Sequence, residues 1–259
     1  MQDFHVHSTY SDGGFLERMV RAAENADLDG IGFADHCIVG DREEFERLRE
    51  RYGFSFDLTY ERRRRAIQRL REETPVTIYD AVEIDYAPEC EAAIEDFCRD
   101  AAFDYTIGSV HEIDGLSVQE PSDLAPLTED KREAFVDRYV ENLVSLVESE
   151  LFDVAAHVDL ITRTPALRGR ITDDHHRQVA RALADSRTVP EINAGRVLRD
   201  GGAVHPSETF LEILSEHDVS VTVGTDSHRP DEIGPRAAFL TEFVEARGLE
   251  PVVPPALDR

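Results

Sequence analysis

FHVHSTYSDGGFLERMVRAAENADLDGIGFADH, residues 4–36, reads as one strand–helix–strand unit. Phe4–Ser8 and Gly30–Asp35 are short apolar runs of strand length, and between them Phe15–Asn25 spaces Leu16, Met19, Val20 and Ala23 along one helical face. The pattern then repeats. Val76–Tyr86, Tyr105–His111, Val154–Ile161, Val189–Asn193 and Val219–Thr225 read as five further strands, and Asp130–Glu148, Asp173–Ala184, Ser207–His217 and Asp231–Arg247 as helices between or after them. Thr172-Asp173 and Pro206-Ser207 supply helix starts. Strict alternation implies parallel strands joined by right-handed crossovers. Seven such units without a dividing linker favour an α/β fold closed, or nearly closed, into a barrel over an open doubly wound sheet. Residues 1–259 are expected to form a single barrel domain. Asp41–Glu73, highly charged and carrying ERRRR at 61–65, reads as a helical insertion after the second strand, its arginines laced with glutamates on a solvated face.

The bulk numbers narrow the function classes. With 259 residues, 41% of them hydrophobic, the chain can bury a sizeable core. It has no long uninterrupted apolar run, and its MQDFHVHS start lacks the basic-then-apolar order of a signal peptide, so a soluble cytoplasmic protein without a membrane partner is expected. Cys37, Cys90 and Cys98 are widely and irregularly spaced, which points to buried thiols and not to disulfides or a CxxC metal site. A net charge of −26, from 54 acidic and 28 basic residues, opposes nucleic acid as a partner. Lys131 is the only lysine. An acidic, arginine-over-lysine surface resembles proteins of salt-accumulating microbes, where ionic strength near 1 M shortens the Debye length to roughly 3 Å. Oligomeric state is not legible.

His5 and His7 lie two apart on a strand, so both rings point to one side, as two imidazoles sharing a metal must. Other ligand-type residues cluster at strand ends: Asp35 and His36, Glu83 and Asp85, His111, His157 and Asp159, then Asp226 and His228. In a parallel barrel these C-terminal ends converge on one mouth, and six of the ten histidines go there. Imidazole and carboxylate without thiolate suit Zn²⁺, Mn²⁺ or Fe²⁺. So many ligands exceed one ion, implying two or three divalent metal ions.

HVHSTYSDGG at 5–14, ADH at 34–36, VEIDY at 82–86, IGSVH at 107–111, AHVDLI at 156–161, EINAG at 191–195 and GTDSH at 224–228 resemble, in order, the motifs of the PHP (polymerase and histidinol phosphatase) superfamily, most closely its histidinol-phosphate phosphatases. The resemblance implies a distorted (βα)7 TIM-like barrel with the active site at the C-terminal strand ends. It also implies one metal on His5, His7, Glu83 and Asp226, a second on Glu83, His111 and His157, and a third on Asp12, His36 and His228. Glu83, Asp226 and His228 are then the residues nearest the chemistry. Such a cluster activates water near neutral pH and neutralises charge on phosphoryl oxygens, so a small-molecule phosphate ester is the expected substrate, L-histidinol phosphate in histidine biosynthesis foremost. Guanidinium forks suit a dianion, which makes Arg163 and Arg196 the candidate phosphate-binding residues. Asp35, Asp85 and Asp159 are candidates to orient ligand imidazoles. His175, His176 and His217 read as surface residues, and His205 as lying near the mouth. Asp114–Asp130 reads either as a rim of that mouth or as a plain connection. The other readings are a PHP phosphatase for a nucleotide or sugar phosphate, an exonuclease-type PHP module, and a non-catalytic metal-binding protein. The acidic surface opposes the second of these, and the filled ligand positions oppose the third.

Overall fold

Short β-branched runs separated by amphipathic helices build the wall of a barrel. A computed structural model describes residues 1–199 and 202–258. Its first half runs β1 (Gln2–Val6), α1 (Leu16–Asn25), β2 (Gly30–Cys37), α2 (Glu43–Tyr52), α3 (Phe56–Arg71), β3 (Thr77–Asp85), α4 (Glu91–Ala101) and β4 (Tyr105–Ser109). A small hairpin, β5 (Glu112–Ile113) and β6 (Leu116–Ser117), and a short α5 (Pro121–Leu124) follow. The second half is α6 (Glu129–Glu148), β7 (Val154–Ala155), α7 (Asp173–Ala184), β8 (Val189–Asn193), α8 (Glu208–Glu216), β9 (Thr222–Gly224) and α9 (Pro230–Arg247). Among the described residues, no helix is long and apolar enough to cross a membrane.

The seven large-sheet strands are ordered β1-β2-β3-β4-β7-β8-β9, every pair parallel. The two edges meet. His7 N donates to Ser227 O at 2.9 Å and Asp226 N to His5 O at 2.7 Å. One layer below, buried Asp3 accepts from Thr225 N at 2.9 Å and Thr225 Oγ1 at 2.5 Å. The sheet is thus nearly closed, a distorted TIM-like barrel with all seven expected strands. Four are shorter than their apolar runs, β3, β4, β7 and β9. The fifth, expected over Val154–Ile161, stops at Ala155 because His157 has φ +26°, and Leu160–Arg163 then turns as a 3-10 helix.

Inside the wall Phe4, Ala34, Ala81, Tyr105, Ile107 and Ile192 belong to one apolar cluster. Tyr105 crosses it to donate to Phe4 O at 2.5 Å, and only glycine fits at position 32, where a Cβ would lie 1.7 Å from the Tyr105 hydroxyl. Two residues above Ala34 and Ala81 on the same faces stand His36 and Glu83, so the period of the strands puts the polar site directly on an apolar floor.

The ERRRR segment corrects the expectation of a solvated face. Arg65 does pair with Glu61 at 3.6 Å on the surface. Arg63, however, is fully buried in line with Phe56 and Ile67, its guanidinium 4.1 Å from the Phe56 ring centroid. It donates to Asp35 Oδ2 and Asp80 Oδ1 at 2.7 Å each and to the Ala81 carbonyl, while Arg64 Nε reaches Asp80 Oδ2 at 2.6 Å. Two buried carboxylates on neighbouring strands require a cation, and the helical period turns residue 63 toward them. His176 is a second correction. It sits on the buried stripe of α7 with Val179, Ala180 and Leu183, stacked on Phe210 at 4.3 Å and 11°, and neither ring nitrogen has a hydrogen-bond partner. Cys37 and Cys90 are buried as expected, whereas Cys98 is half-buried.

Replacing Arg63 by Met should strand Asp35 and Asp80 and lower unfolding free energy by about 3–5 kcal/mol. Denaturant titration checks this, and a loss under about 1 kcal/mol would mean that water or a rearranged Arg64 compensates. Burial lowers the pKa of His176, so its neutral-state stabilisation is present above the ordinary value of about 6.5 and is lost as pH falls through it. His176→Phe should therefore gain melting temperature relative to the unmodified chain as pH is taken from about 7.5 to about 5.5.

Candidate metal centre

The register of β1 against β2 breaks between Asp3 and Val6. Phe4 accordingly joins the interior floor and Val6 packs outward beside α1, while His5 and His7, both fully buried, face the barrel mouth with Nε2 atoms 3.1 Å apart. Directly across β2 and β3, His36 and Glu83 are register partners. The Glu83 carboxylate lies at the centre. Oε1 is 3.2 Å from His157 Nε2 and 3.7 Å from His111 Nε2, and Oε2 is 2.8 Å from His36 Nδ1, 3.4 Å from His5 Nε2 and 3.7 Å from His7 Nε2.

At the other side of the mouth, Asp226 Oδ1 approaches His7 Nε2 to 3.3 Å. Asp226 holds φ +51° and His157 φ +26°, conformations that cost roughly 1–3 kcal/mol each outside glycine and recur where a side chain must be aimed. Buried Arg236 braces the first of these by donating from Nη1 to the Asp226 carbonyl at 2.7 Å. Asp12 Oδ1 lies 3.4 Å from His228 Nε2 and 3.9 Å from both His36 Nε2 and His7 Nδ1. Its loop is tied down by Asp35, which accepts from Ser8 N and Ser8 Oγ at 2.7 Å and from Ser11 Oγ at 2.9 Å.

All nine sequence-predicted ligands therefore meet in one place. Three sets bring their donor atoms within 4.8 Å of one another: His7, Asp12, His36 and His228; His5, His7 and Glu83; His36, Glu83 and His111. His7, His36 and Glu83 each belong to two sets, whereas His157 and Asp226 adjoin through Glu83 and His7. The donor set fits divalent metal ions. Buried His7 Nδ1 has no hydrogen-bond partner, a costly arrangement unless a cation fills the space, and Glu83 Oε2 meets His36 Nδ1 at 2.8 Å without hydrogen-bonding geometry. The electrostatics agree in direction. Burial alone would lower His36, but Glu83 and then Asp12 hold it up at about 10, while burial with neighbouring His228 and His36 pushes His7 down to about 4. Against their burial, the surrounding imidazoles keep Glu83 and Asp226 well below the usual carboxylate range.

The supporting carboxylates differ from expectation. Asp85 takes its expected role, facing His111 Nδ1 at 2.5 Å. Asp35 serves the Asp12 loop and Arg63, and Asp159 faces His205 Nδ1 at 2.6 Å, so neither touches a ligand imidazole. Glu191 was missed. It lies 2.9 Å from His5 Nδ1 and accepts from His157 N at 3.1 Å and Asn193 Nδ2 at 2.7 Å. Gly224 makes room for it, since a Cβ there would sit 2.4 Å from Glu191 Oε2. The available signal was the spacing of Glu191 two before Asn193, which puts both on one strand face. The cavity above the ligands has a volume of about 440 Å³, and Arg163, Arg196, Arg199 and Gln119 help line it. Gln119 Oε1 accepts from Arg163 Nη1 at 3.2 Å and Arg196 Nη2 at 3.5 Å, which makes the 114–130 segment part of the rim.

Residues 3–194 match the family model described as PHP domain. The chain belongs to the PHP domain family. This PHP-domain chain is 25% identical over 257 residues to a Clostridium acetobutylicum protein named probable histidinol-phosphatase, covering 96% of the chain and 95% of the relative. A Deinococcus radiodurans protein of the same name is 24% identical over 258 residues, covering 95% and 93%. The fold is similar to the crystal structure of histidinol phosphate phosphatase from Lactococcus lactis in complex with zinc, L-histidinol and phosphate. The TM-score is 0.74 at 21% identity, over 97% of this chain and 95% of that one.

In Glu191→Gln the amide oxygen is retained by His157 N and Asn193 Nδ2, which turns the NH₂ toward His5 Nδ1 and should weaken metal affinity by about 10–100-fold. Metal content after dialysis against graded chelator measures this; unchanged retention would mean that the His5 tautomer does not depend on the Glu191 carboxylate.

Proposed function

We propose that the chain is a metal-dependent phosphomonoesterase that hydrolyses L-histidinol phosphate to L-histidinol and phosphate, the histidinol-forming step of histidine biosynthesis. The observation that carries this reading is a ligand cluster centred on Glu83 opening into a cavity whose opposite wall is guanidinium. His5, His7, Asp12, His36, Glu83, His111, His157, Asp226 and His228 would hold two or three divalent ions. Imidazole with carboxylate suits zinc, manganese or ferrous iron, and the zinc of the Lactococcus lactis structure favours the first. Bound there, the ions would supply an activated water near neutral pH and positive charge for the phosphoryl oxygens.

The chain's own groups supply the rest. Glu83 divides its two oxygens between opposite ligand sets, so one rigid carboxylate fixes the spacing of both. Arg163 and Arg196 face the same cavity and share Gln119, which aligns two forks toward one dianion. Asp12 and His228, at 46% and 30% side-chain exposure, border both the ligand cluster and solvent, and so stand nearest a departing alcohol.

A neighbouring groove favours this leaving group over a nucleotide or sugar. Among the described residues, Tyr52 and Phe54 line it together with five carboxylates, including Asp85, Glu112, Glu120 and Asp123, against the two arginines Arg51 and Arg196. Phe54 stacks on His36 at 5.6 Å and Tyr52 on Phe54 at 5.4 Å. Flat rings among carboxylates suit a cationic, imidazole-bearing alcohol and oppose an anionic one. On this reading the 41–73 insertion belongs to the same functional unit as the barrel, 1–259, and supplies the wall of the groove.

Phosphate release should be measured on L-histidinol phosphate and a panel of sugar and nucleotide monoesters, with Zn²⁺ or Mn²⁺ added and salt raised toward about 1 M. The expected preference in kcat/KM is at least about a hundredfold, or about 2.7 kcal/mol in transition-state binding. Equal turnover of another ester would keep the phosphatase and remove the histidine-pathway role.

A further inference from the structure

Arg163 differs from the other buried arginines in what holds it. Arg63 meets two carboxylates, and Arg236 pairs with Glu232 at 3.2 Å. Arg163, by contrast, donates from Nε to His205 Nε2 at 3.0 Å, from Nη1 to Gln119 Oε1 at 3.2 Å and from Nη2 to Asn193 Oδ1 at 3.4 Å. The carboxylate nearest to it, Asp226 Oδ2, stands off at 3.9 Å. Its hydrogen bonds are therefore all to neutral acceptors, and its charge faces the cavity with only a long ion pair to Asp226.

This arrangement constrains His205. A guanidinium has no acceptor, so His205 must present a lone pair at Nε2 and carry its proton on Nδ1. Asp159 Oδ1 receives that proton at 2.6 Å, and Ser207 N fixes the other oxygen, Oδ2, at 2.8 Å. The His205 backbone is itself clamped to Asn193, whose N donates to His205 O at 2.6 Å and whose O accepts from His205 N at 3.1 Å. Asp159 and His205 are buried, at 0% and 2% exposure. Neither touches the ligand cluster, so metal binding gives no account of them.

We propose that Asp159 and His205 are positioning residues that lock one imidazole tautomer and thereby hold Arg163 as an open, oriented cation for the phosphoryl group. The inference rests on reading the cavity as a phosphate-ester site. Asp159→Asn tests it at constant shape. Ser207 N retains the amide oxygen, which turns the amide NH₂ toward His205 Nδ1 and moves the ring proton to Nε2, where donor then faces donor. With zinc loaded, the inorganic phosphate Kd from calorimetry should rise more than tenfold and KM should rise more than kcat falls, while metal content per chain is unchanged. Adding His205→Gln, whose amide oxygen can accept from Arg163 without a tautomer, should recover much of the loss. A merely structural Asp159 gives no such rescue.

Should Asp159→Asn fail to fold, the unmodified protein still decides the matter. Nitrogen-15 spectra, assigned against His205→Gln, should show His205 unprotonated at Nε2, and a protonated Nε2 would overturn the lock. Phosphate binding equal in Asp159→Asn and the unmodified chain overturns it too, leaving the phosphatase intact. Absence of phosphate binding by the unmodified, zinc-loaded chain would instead remove the phosphatase reading and the inference together.

Discussion

A carboxylate buried among five imidazoles is the constraint on which everything else depends. Glu83 is 1% exposed, and a charge so placed is tolerated only where opposite charge surrounds it. Each part of the fold can be understood as a way of bringing that charge to it. The paired register of β2 and β3 supplies His36, the irregularity in β1 turns both His5 and His7 inward, and the left-handed backbone at His157 ends its strand early enough to aim the ring. Below, Tyr105 and its aliphatic neighbours keep water from entering through the barrel and diluting the field.

The clustering of the candidate ligands was legible because strand periodicity and chain order act locally, and six histidines at strand ends leave a strong trace. What the sequence hid is long-range. Arg63 looked like one of four solvated arginines, and only the carboxylates 28 and 17 residues away, on strands that α3 covers, make it a buried centre. His176 looked polar and exposed for the same reason: the stripe of α7 that it joins faces α8, and nothing within its own helix announces Phe210 as its partner. Glu191 escaped notice because its role depends on the empty space at Gly224, on a different strand. Asp159 was picked out as a carboxylate with a task, but the imidazole it serves is His205 and not a ligand.

Charge is distributed with a purpose that the total of −26 conceals. Among the described residues, five arginines against three carboxylates line the cavity, five carboxylates against two arginines line the groove beside it, and the two share Asp12, His36, His111 and Arg196. A molecule carrying a phosphate at one end and a cation at the other finds its two ends sorted on approach, whereas a uniformly anionic one meets opposition along the groove. Discrimination of this kind acts before any atom of the substrate is in bonding distance.

The seam of the barrel carries a further meaning. First and last strands are joined through the backbones of His5, His7, Asp226 and Ser227, and by Asp3 holding Thr225 across 222 residues of chain. The donor side chains on the two sides of that seam converge on common points. An ion shared between them would act as a clasp, closing a loop nearly as long as the protein and spending its binding free energy on the one junction that the hydrogen-bonded ladder leaves weakest. Loading the site and finishing the fold would then be a single event.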